Sequence, residues 1–300
     1  MRRSFPYFGV LPAAAAFSLL TFTNCVNTSK NQPVASAEVS QPAVAPNPLL
    51  ADWTGPYGGV PPFDKVKIAD FKPAIETAMN ENLAEIDKIT ANAAAPNFEN
   101  TLAALERTGQ TLERVMTIYG IWASGMNNKE FQEVEREMAP KLAAFSDQIT
   151  QNEKLFQRIE TVYNSPEKAS LSPEQQRLAW KTYTNFVRAG AKLNAEQKKR
   201  LSEINQQLAK LYTNFSQNLL ADEMNGMVVL EKESDLAGLP QSLKDAAANA
   251  ATAKNMPGKW VITNTRSSVD PFLTYSDNRA LREKAWRMFV NRGDNGGEHD

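Results

Sequence analysis

One long run of regularly spaced apolar residues constrains the fold of this chain more than any other feature. After Asn194 and Gln197, which can form a helix-start capping box, six large apolar side chains follow at alternating intervals of three and four: Leu201, Ile204, Leu208, Leu211, Phe215 and Leu219. This spacing places them on one side of an α-helix for about six turns. The seam predicts antiparallel packing against a neighbouring helix inside a helical domain. An intermolecular coiled coil is the less favoured alternative, because the run is short and lacks paired flanking charges.

Shorter amphipathic helices are predicted along most of the remaining chain. Asp70 is the predicted cap of the first helix, and Asn127-Asn128 marks a turn before the third. Ser172 with Gln175 predicts another capping box, opening a helix that runs to about Gly190. The apolar stripes are Phe71, Ile75, Met79, Leu83 and Ile86; Leu102, Leu105, Leu112, Val115, Tyr119 and Trp122, in one helix that passes through Gly109; Phe131, Val134, Met138, Leu142, Phe145 and Ile149; and Leu155, Phe156, Ile159 and Val162.

Two short segments are predicted to be β-strands. Residues 227–231 and 259–264 are rich in β-branched and aromatic residues and are bounded by glycines. An alanine-rich helix from Ala246 to Ala253 is expected between them, and a last helix is expected to begin at Ser276 or Asp277. The fold class is therefore mainly α, with one small two-stranded element. The aromatic residues at helical spacing are interpreted mainly as core, with the alternative that a few of them line a peptide groove: Tyr119, Trp122, Trp180 and Tyr183.

Residues 1–25 are predicted to be an export signal. Arg2 and Arg3 precede an apolar stretch that is too short for a stop-transfer helix. The segment that ends at Cys25 resembles a bacterial lipobox, although Asn24 departs from the small residue usual before the cysteine. Lipidation of Cys25, ordinary signal cleavage and a buried free thiol remain open, and the arginine pair also resembles a twin-arginine signal.

The location expected from this signal is the periplasm or, through a lipidated Cys25, attachment to a bacterial membrane. Residues 26–48 contain many Pro, Ala, Ser and Asn residues and few large apolar ones. Such a segment cannot offset its ordering entropy, so it is predicted to be a disordered tether. Residues 49–300 are then the folded part, with an extended lead-in at 47–62 that contains Trp53 and Tyr57.

Composition excludes several classes of function. The formal net charge is −1, with 33 basic and 34 acidic residues intermixed along the chain, so no nucleic-acid partner is expected. Cys25 is the single cysteine, which excludes an internal disulfide and a cysteine-ligated zinc cluster.

The sequence offers no convincing catalytic or metal-ligating constellation. His299 is the single histidine, so a His-Glu-x-x-His zinc motif cannot form within these residues. The Glu298-His299-Asp300 triplet is interpreted as a solvated loop, because adjacent side chains on a turn do not converge on one cation. Glu133, Glu135 and Glu137 are interpreted as an exposed helix face. No catalytic residue and no metal ligand is therefore assigned.

The order of several short segments nevertheless resembles the amino-terminal half of bacterial peptidyl-dipeptidases and oligopeptidases related to thimet oligopeptidase. The strongest match is the stretch from Phe186 to Leu193. The other matching residues are Phe63-Asp64; Phe71-Lys72-Pro73-Ala74; Asn97-Phe98-Glu99-Asn100-Thr101; Ala104-Leu105-Glu106 with Gly109; Asn152 with Leu155-Phe156; Leu201, Asn205, Leu211, Phe215 and Leu219-Leu220; and Arg279, Arg282-Glu283 and Trp286.

The resemblance implies a zinc oligopeptidase whose metal-bound water attacks a peptide bond, with one zinc ion in the full-length enzyme and none bound by this chain. The family's zinc helix belongs to a carboxyl-terminal half that lies beyond Asp300. Residues 49–300 would then form one wall of a channel for short peptides, inactive alone, with an apolar face where the missing half docks. Release of carboxyl-terminal dipeptides is the expected activity. The alternative is a non-catalytic helical lipoprotein that binds peptides or acts as a scaffold.

Overall fold

The computed structural model describes residues 46–56 and 59–297. Three predicted features lie outside these ranges: the export signal with Cys25, residues 26–45 of the tether, and the triplet that contains His299. The described residues are mainly α-helical with one small antiparallel sheet, as predicted. None of the described helices combines the length and apolar character needed to cross a bilayer.

The described chain begins with the predicted lead-in, which is docked on the first helices. Leu49 is fully buried, and Trp53 packs against the same core. The Asn47 side-chain amide donates to the Asp70 carbonyl oxygen at 2.8 Å, which ties the lead-in to the first helix. Tyr57, the other aromatic residue predicted here, lies outside the described residues.

The first helices differ from their predicted boundaries at two points. Helix α1 spans Ile68–Thr90, and Asp70 is not its cap but lies one turn inside, where its carboxylate accepts from the Lys67 amide at 2.8 Å. The second stripe does not form one helix. A widened turn at Phe98–Ala103 leads into the short helix α2 at Ala104–Glu106, and helix α3 spans Gln110–Gly125.

Gly109 separates α2 from α3 because its backbone is left-handed, with φ at +76°. Its amide donates to the Glu85 carboxylate at 2.7 Å, which fixes this break to α1. A glycine tolerates that conformation at little steric cost, so the glycine that was expected inside a helix ends one instead.

Three of the next four helices, α4, α6 and α7, begin where they were predicted to begin. Helix α4 spans Lys129–Thr150 after the Asn128 cap, and α5 spans Glu153–Asn164. Helix α6 spans Pro173–Arg188 and α7 spans Ala195–Asn225, and each begins with the predicted capping box. Helix α4 packs along α7, α5 packs on α6, and α1 packs on α3.

The last part of the described chain is a small α/β unit. Strands β1 at Met227–Leu230 and β2 at Trp260–Thr263 pair antiparallel, with Met227 opposite Thr263. Helix α8 spans Gln241–Ala253 and is longer than predicted. Helix α9 at Arg266–Tyr275 was not predicted, and α10 spans Arg279–Val290, beginning after the Asn278 cap rather than at Ser276 or Asp277.

Three buried clusters form the core of the described residues. The first joins the lead-in, α1, α3 and α4, and contains Phe71, Ile118 and Phe131. The second joins the end of α1 with α5 and α6, and contains Leu155 and Ile159. The third lies within residues 228–289. None of the three clusters includes a described residue of α7.

The predicted packing of the α7 seam is wrong in its central part. Leu208, Leu211 and Phe215 are 41%, 63% and 51% exposed. Helix α7 instead turns a more polar side toward α4, where Asn205 donates to Asp147 at 2.8 Å and Gln217 donates to the Gln132 carbonyl at 3.0 Å. The regularly spaced apolar residues therefore lie on a helix, as predicted. In the central part of that helix they are not covered by other described residues.

Candidate functional site

The residues that the sequence singled out for chemistry do not form a site in the described part of the chain. Cys25 and His299 lie outside it. Within residues 46–56 and 59–297, no three His, Cys, Asp or Glu side chains lie close enough together to hold a metal ion. These residues therefore do not fit a zinc centre, and no hydrolytic step is assigned to them.

The three glutamates of α4 do not share one environment. Glu133 and Glu137 are exposed, as expected. Glu137 pairs with Lys72 at 2.7 Å and with Lys141 at 3.0 Å, and these hydrogen bonds, the Lys72 bond first, lower the pKa of the Glu137 carboxyl. Glu135 is half-buried and faces α7, which corrects the prediction that all three form an exposed face.

A cavity lies where the beginning of α4 meets the second half of α7. It is a cleft of about 640 Å³, within the size range of ligand pockets. We call it the amide cleft, because carboxamide side chains dominate its wall. Its lining residues are Asn127, Asn128, Lys129, Gln132, Arg136, Gln217, Asn218, Ala221, Met224 and Asn225.

The α3–α4 turn positions one end of the amide cleft. The Asn128 side-chain oxygen accepts from the Phe131 amide at 2.9 Å and so begins α4. The neighbouring Asn127 donates through its side-chain nitrogen to the Ala123 carbonyl and to Glu135, each at 3.1 Å. Its side-chain oxygen is buried and has no partner among the described atoms.

Gln217 of α7 positions the other wall. Its side-chain nitrogen donates to the Gln132 carbonyl at 3.0 Å and to Glu135 at 3.1 Å. Its side-chain oxygen accepts from Arg136 at 2.5 Å. Because these bonds engage both ends of the carboxamide, Gln217 holds Arg136 in place at the cleft and holds Glu135 behind it.

The charge on the lining is positive. Lys129 and Arg136 contribute two cations, and the lining contains no Asp or Glu. Glu135 lies behind the wall, near Tyr119. Burial of the Tyr119 side chain, followed by repulsion from Glu135, raises the pKa of its phenol. The arrangement can hold a polar, carboxylate-bearing ligand by hydrogen bonds and charge, but the lining offers no nucleophile and no general base.

A second depression of about 440 Å³ shares Asn127 and Gln217 with the amide cleft. It is lined by residues of α3, α4 and α7 that include Glu135 and Glu223. Apolar side chains are also exposed on one face of α7. We call the following set the α7 apolar face: Leu208, Leu211, Tyr212 and Phe215, which are 41 to 68% exposed.

Sequence reasoning missed the amide cleft. The signals that could have suggested it are the carboxamide pairs Asn127-Asn128 and Gln217-Asn218, but their 90-residue separation hides the contact. The interpretation of the aromatic residues as core is right for Trp122, which is 6% exposed, and wrong for Trp180, which is 41% exposed. The Arg177 guanidinium lies over the Trp180 ring at 4.3 Å, which covers one ring face without burying it.

Comparison with known proteins finds similarity to proteins that are named as peptidases. Residues 75–198 match the model of the neurolysin/thimet oligopeptidase amino-terminal domain. The dipeptidyl carboxypeptidase of Salmonella typhimurium is 34% identical over 254 residues, which are 85% of this chain and 37% of that protein. Its Escherichia coli counterpart is 34% identical over 238 residues, 79% of this chain and 35% of that protein.

Oligopeptidase A of Haemophilus influenzae is 31% identical over 260 residues, covering 85% of this chain and 37% of that protein. The chain thus spans little more than a third of the length of the curated relatives that it matches. The similarity extends well beyond residues 75–198, which match the family model.

Proposed function

The chain belongs to the neurolysin/thimet oligopeptidase family through its amino-terminal domain, and we propose that it is the amino-terminal portion of an exported zinc-dependent oligopeptidase. The complete enzyme would hydrolyse short peptides and release carboxyl-terminal dipeptides. The observation that carries the proposal is the 34% identity, over 85% of this chain, to a protein named dipeptidyl carboxypeptidase.

The proposed zinc centre lies in polypeptide outside these 300 residues. A thermolysin-like site needs two histidines and a glutamate, and this sequence contains one histidine. When bound, zinc would lower the pKa of a water molecule and polarise the scissile carbonyl. The role of the present residues would be to form one wall of the channel and to hold the peptide.

The α7 apolar face supports a partner for this portion of the enzyme. Leu211 and Phe215 are more than half exposed, and monomeric proteins rarely leave such large apolar side chains in one contiguous group. We propose that the catalytic portion covers this face. Burial of the α7 apolar face against that portion would then add hydrophobic free energy to the contact between the two portions.

The direct test compares the 300-residue chain with a protein extended to include a His-Glu-x-x-His segment. We expect the extended protein to release dipeptides from short peptides, to lose that activity with a chelator and to regain it with zinc. The 300-residue chain should bind no zinc and hydrolyse nothing. Chelator-sensitive hydrolysis by the 300-residue chain itself would contradict the proposal.

The docking role of the α7 apolar face is tested in the extended protein. Leu211→Asp with Phe215→Asp should lower its activity at least tenfold by weakening contact between the two portions. The matched control is Val60→Asp, which alters another exposed apolar residue, 57% exposed, away from α7. Equal activity of both variants would remove the support that this face gives to the proposal.

Export is part of the same proposal, and Cys25 determines the form it takes. Fractionation of cells should recover the protein outside the cytoplasm. If Cys25 carries lipid, Cys25→Ser should move the protein from the membrane to the soluble periplasmic fraction. If ordinary signal cleavage operates, both forms should be soluble there. Recovery in the cytoplasm alone would contradict export.

A further inference from the structure

The amide cleft carries an inference about the chemistry of the peptide that it binds. Lys129 and Arg136 are exposed side chains on one face of α4, one at its first residue and the other two turns later. Among the described residues, the Lys129 side chain forms no hydrogen bond or ion pair, and the Arg136 side chain donates only to the neutral carboxamide of Gln217. The cleft is thus lined by two cations and by no acid, so a carboxylate inside it would meet cationic partners directly.

The nearby acids do not belong to the lining of the cleft. Glu135 is engaged from behind by Asn127 and Gln217. On α7, Asp222 accepts from the Gly293 amide at 2.9 Å and from Asn295 at 2.7 Å, and Glu223 pairs with Arg292 at 3.3 Å. The exposed residues Glu130 and Glu133 lie on α4 but not on the lining.

The remaining lining suits an extended peptide backbone. Gln132, Asn218 and Asn225 present side-chain amides that can both donate and accept, as a peptide group requires. Met224 is 62% exposed at the same cleft and provides an adaptable apolar contact.

We propose that the amide cleft binds a carboxylate of a peptide, with Arg136 and Lys129 as its cationic partners and the carboxamides on the peptide backbone. This inference rests on the proposed function, which makes a short peptide the ligand. It adds that the preferred peptide carries a negative charge. The carboxylate can come from an acidic side chain or from the chain terminus. Arg136 supplies a planar pair of donors that matches either.

Binding to the 300-residue chain, measured by fluorescence anisotropy with four labelled peptides of one backbone, tests the proposal. The peptides carry a central Glu or a central Gln, each with a free or an amidated carboxyl terminus. We expect a peptide with one carboxylate to bind about tenfold more tightly than the uncharged peptide, the difference typical of a charge-assisted hydrogen bond. The advantage should shrink as salt increases.

Variants at the cleft separate charge recognition from general weakening. Arg136→Gln should remove most of the difference in affinity between the carboxylate peptides and the uncharged peptide, while Arg136→Lys should retain part of that difference. Lys129→Gln should act in the same direction. The matched control is Lys210→Gln, an exposed cation on α7 outside the lining, which should change nothing.

The pattern across the four peptides identifies the source of the carboxylate. Preference for central Glu with either terminus indicates an acidic side chain, and preference for a free terminus with central Gln indicates the terminal group. Equal affinity of all four peptides, or an equal loss for all four in Arg136→Gln, overturns the inference and leaves the proposed function standing. Absence of binding by every peptide overturns the inference, whereas the proposed function is tested separately by hydrolysis in the extended protein.

Discussion

At position 109 a single glycine determines where one helix ends and the next begins. A side chain there would meet two obstacles, the left-handed backbone and the Asn82 side chain, which lies 3.3 Å from the position of an added Cβ. The chain accepts this conformation because the Gly109 amide gains the Glu85 carboxylate as a partner. One residue thus sets the angle between α2 and α3.

Gly109→Ala should lower the free energy of unfolding by about 1–2 kcal/mol, because a β-carbon strains the left-handed region. Gly120→Ala is the matched control, since an added Cβ there meets nothing within 4 Å and the residue lies inside α3. The control should raise stability by about 0.5–1 kcal/mol. Urea unfolding of both variants measures the difference, and equal effects of the two substitutions would contradict this account.

The raised pKa of the Tyr119 phenol predicts how the free energy of unfolding changes at alkaline pH. Its pKa is raised in the folded state, first by burial and then by Glu135. A raised pKa means that the folded state keeps the proton while the unfolded state loses it above about pH 10. The contribution of Tyr119 to the free energy of unfolding is therefore complete below that pH, and it declines as the pH rises toward the folded-state pKa.

Tyr119→Phe should consequently show a smaller loss of unfolding free energy between pH 9 and pH 11, a window about one unit on each side of the ordinary tyrosine pKa. Tyr212→Phe is the control, because Tyr212 is 68% exposed on α7. Chemical denaturation at several pH values gives both slopes. Identical slopes for Tyr119→Phe and the unaltered chain would show that the phenol of Tyr119 does not control this decline.

Among the elements, α7 shows how a correct helix prediction can assign the wrong buried face. The capping box of Asn194 and Gln197 and the apolar period both hold in the structure. The side that contacts α4 nevertheless uses polar groups, including Asn205 and Gln217. A hydrophobic period shows which face of a helix is apolar, but it does not show which face packs against a neighbouring helix.

Leu211→Lys should therefore change the unfolding free energy of the 300-residue chain by no more than about 0.5 kcal/mol, the usual range for exposed sites. Leu155→Ala should cost about 2–5 kcal/mol, because Leu155 is fully buried in the second cluster. Thermal and urea unfolding compare the two. A loss of several kcal/mol in Leu211→Lys would show that the seam is buried.

For the whole molecule, the separation of the buried clusters predicts how the described residues unfold. The third cluster contains only residues from 228 to 289, and it includes Leu230, Ile262 and Phe272. It reaches the rest of the described chain near the end of α7, where Asn264 donates to the Asp222 carbonyl at 3.1 Å. Sections with separate cores commonly open as separate cooperative units.

Ile262→Ala should speed hydrogen exchange in β1, β2 and α9 and leave exchange in α1 and α5 nearly unchanged, at a local cost of about 2–5 kcal/mol. Native-state exchange read by mass spectrometry measures both regions in one experiment. Ile159→Ala is the reciprocal control, because Ile159 is fully buried in the second cluster. Equal acceleration throughout the chain would indicate one cooperative unit.

Local interactions explain what the sequence determined by itself. The mainly α class, the capping boxes at Ser172 and Asn194 and the two strands depend on residues a few positions apart, and they are confirmed. The break at Gly109 was misjudged because its cost is offset by Glu85, 24 residues away. The missed helix α9 contains Pro271 and lacks a side-chain cap, so its local signals are weak.

Only the tertiary structure decided which surfaces meet. The amide cleft joins Asn127 and Gln217, whose side chains both reach Glu135 although they lie far apart in sequence. The exposure of Leu211 and Phe215 also depends on how α7 is rotated against α4. Periodicity determines that a helix forms, because it depends on neighbours one turn away; contact between distant helices depends on the free energy of the whole packed arrangement.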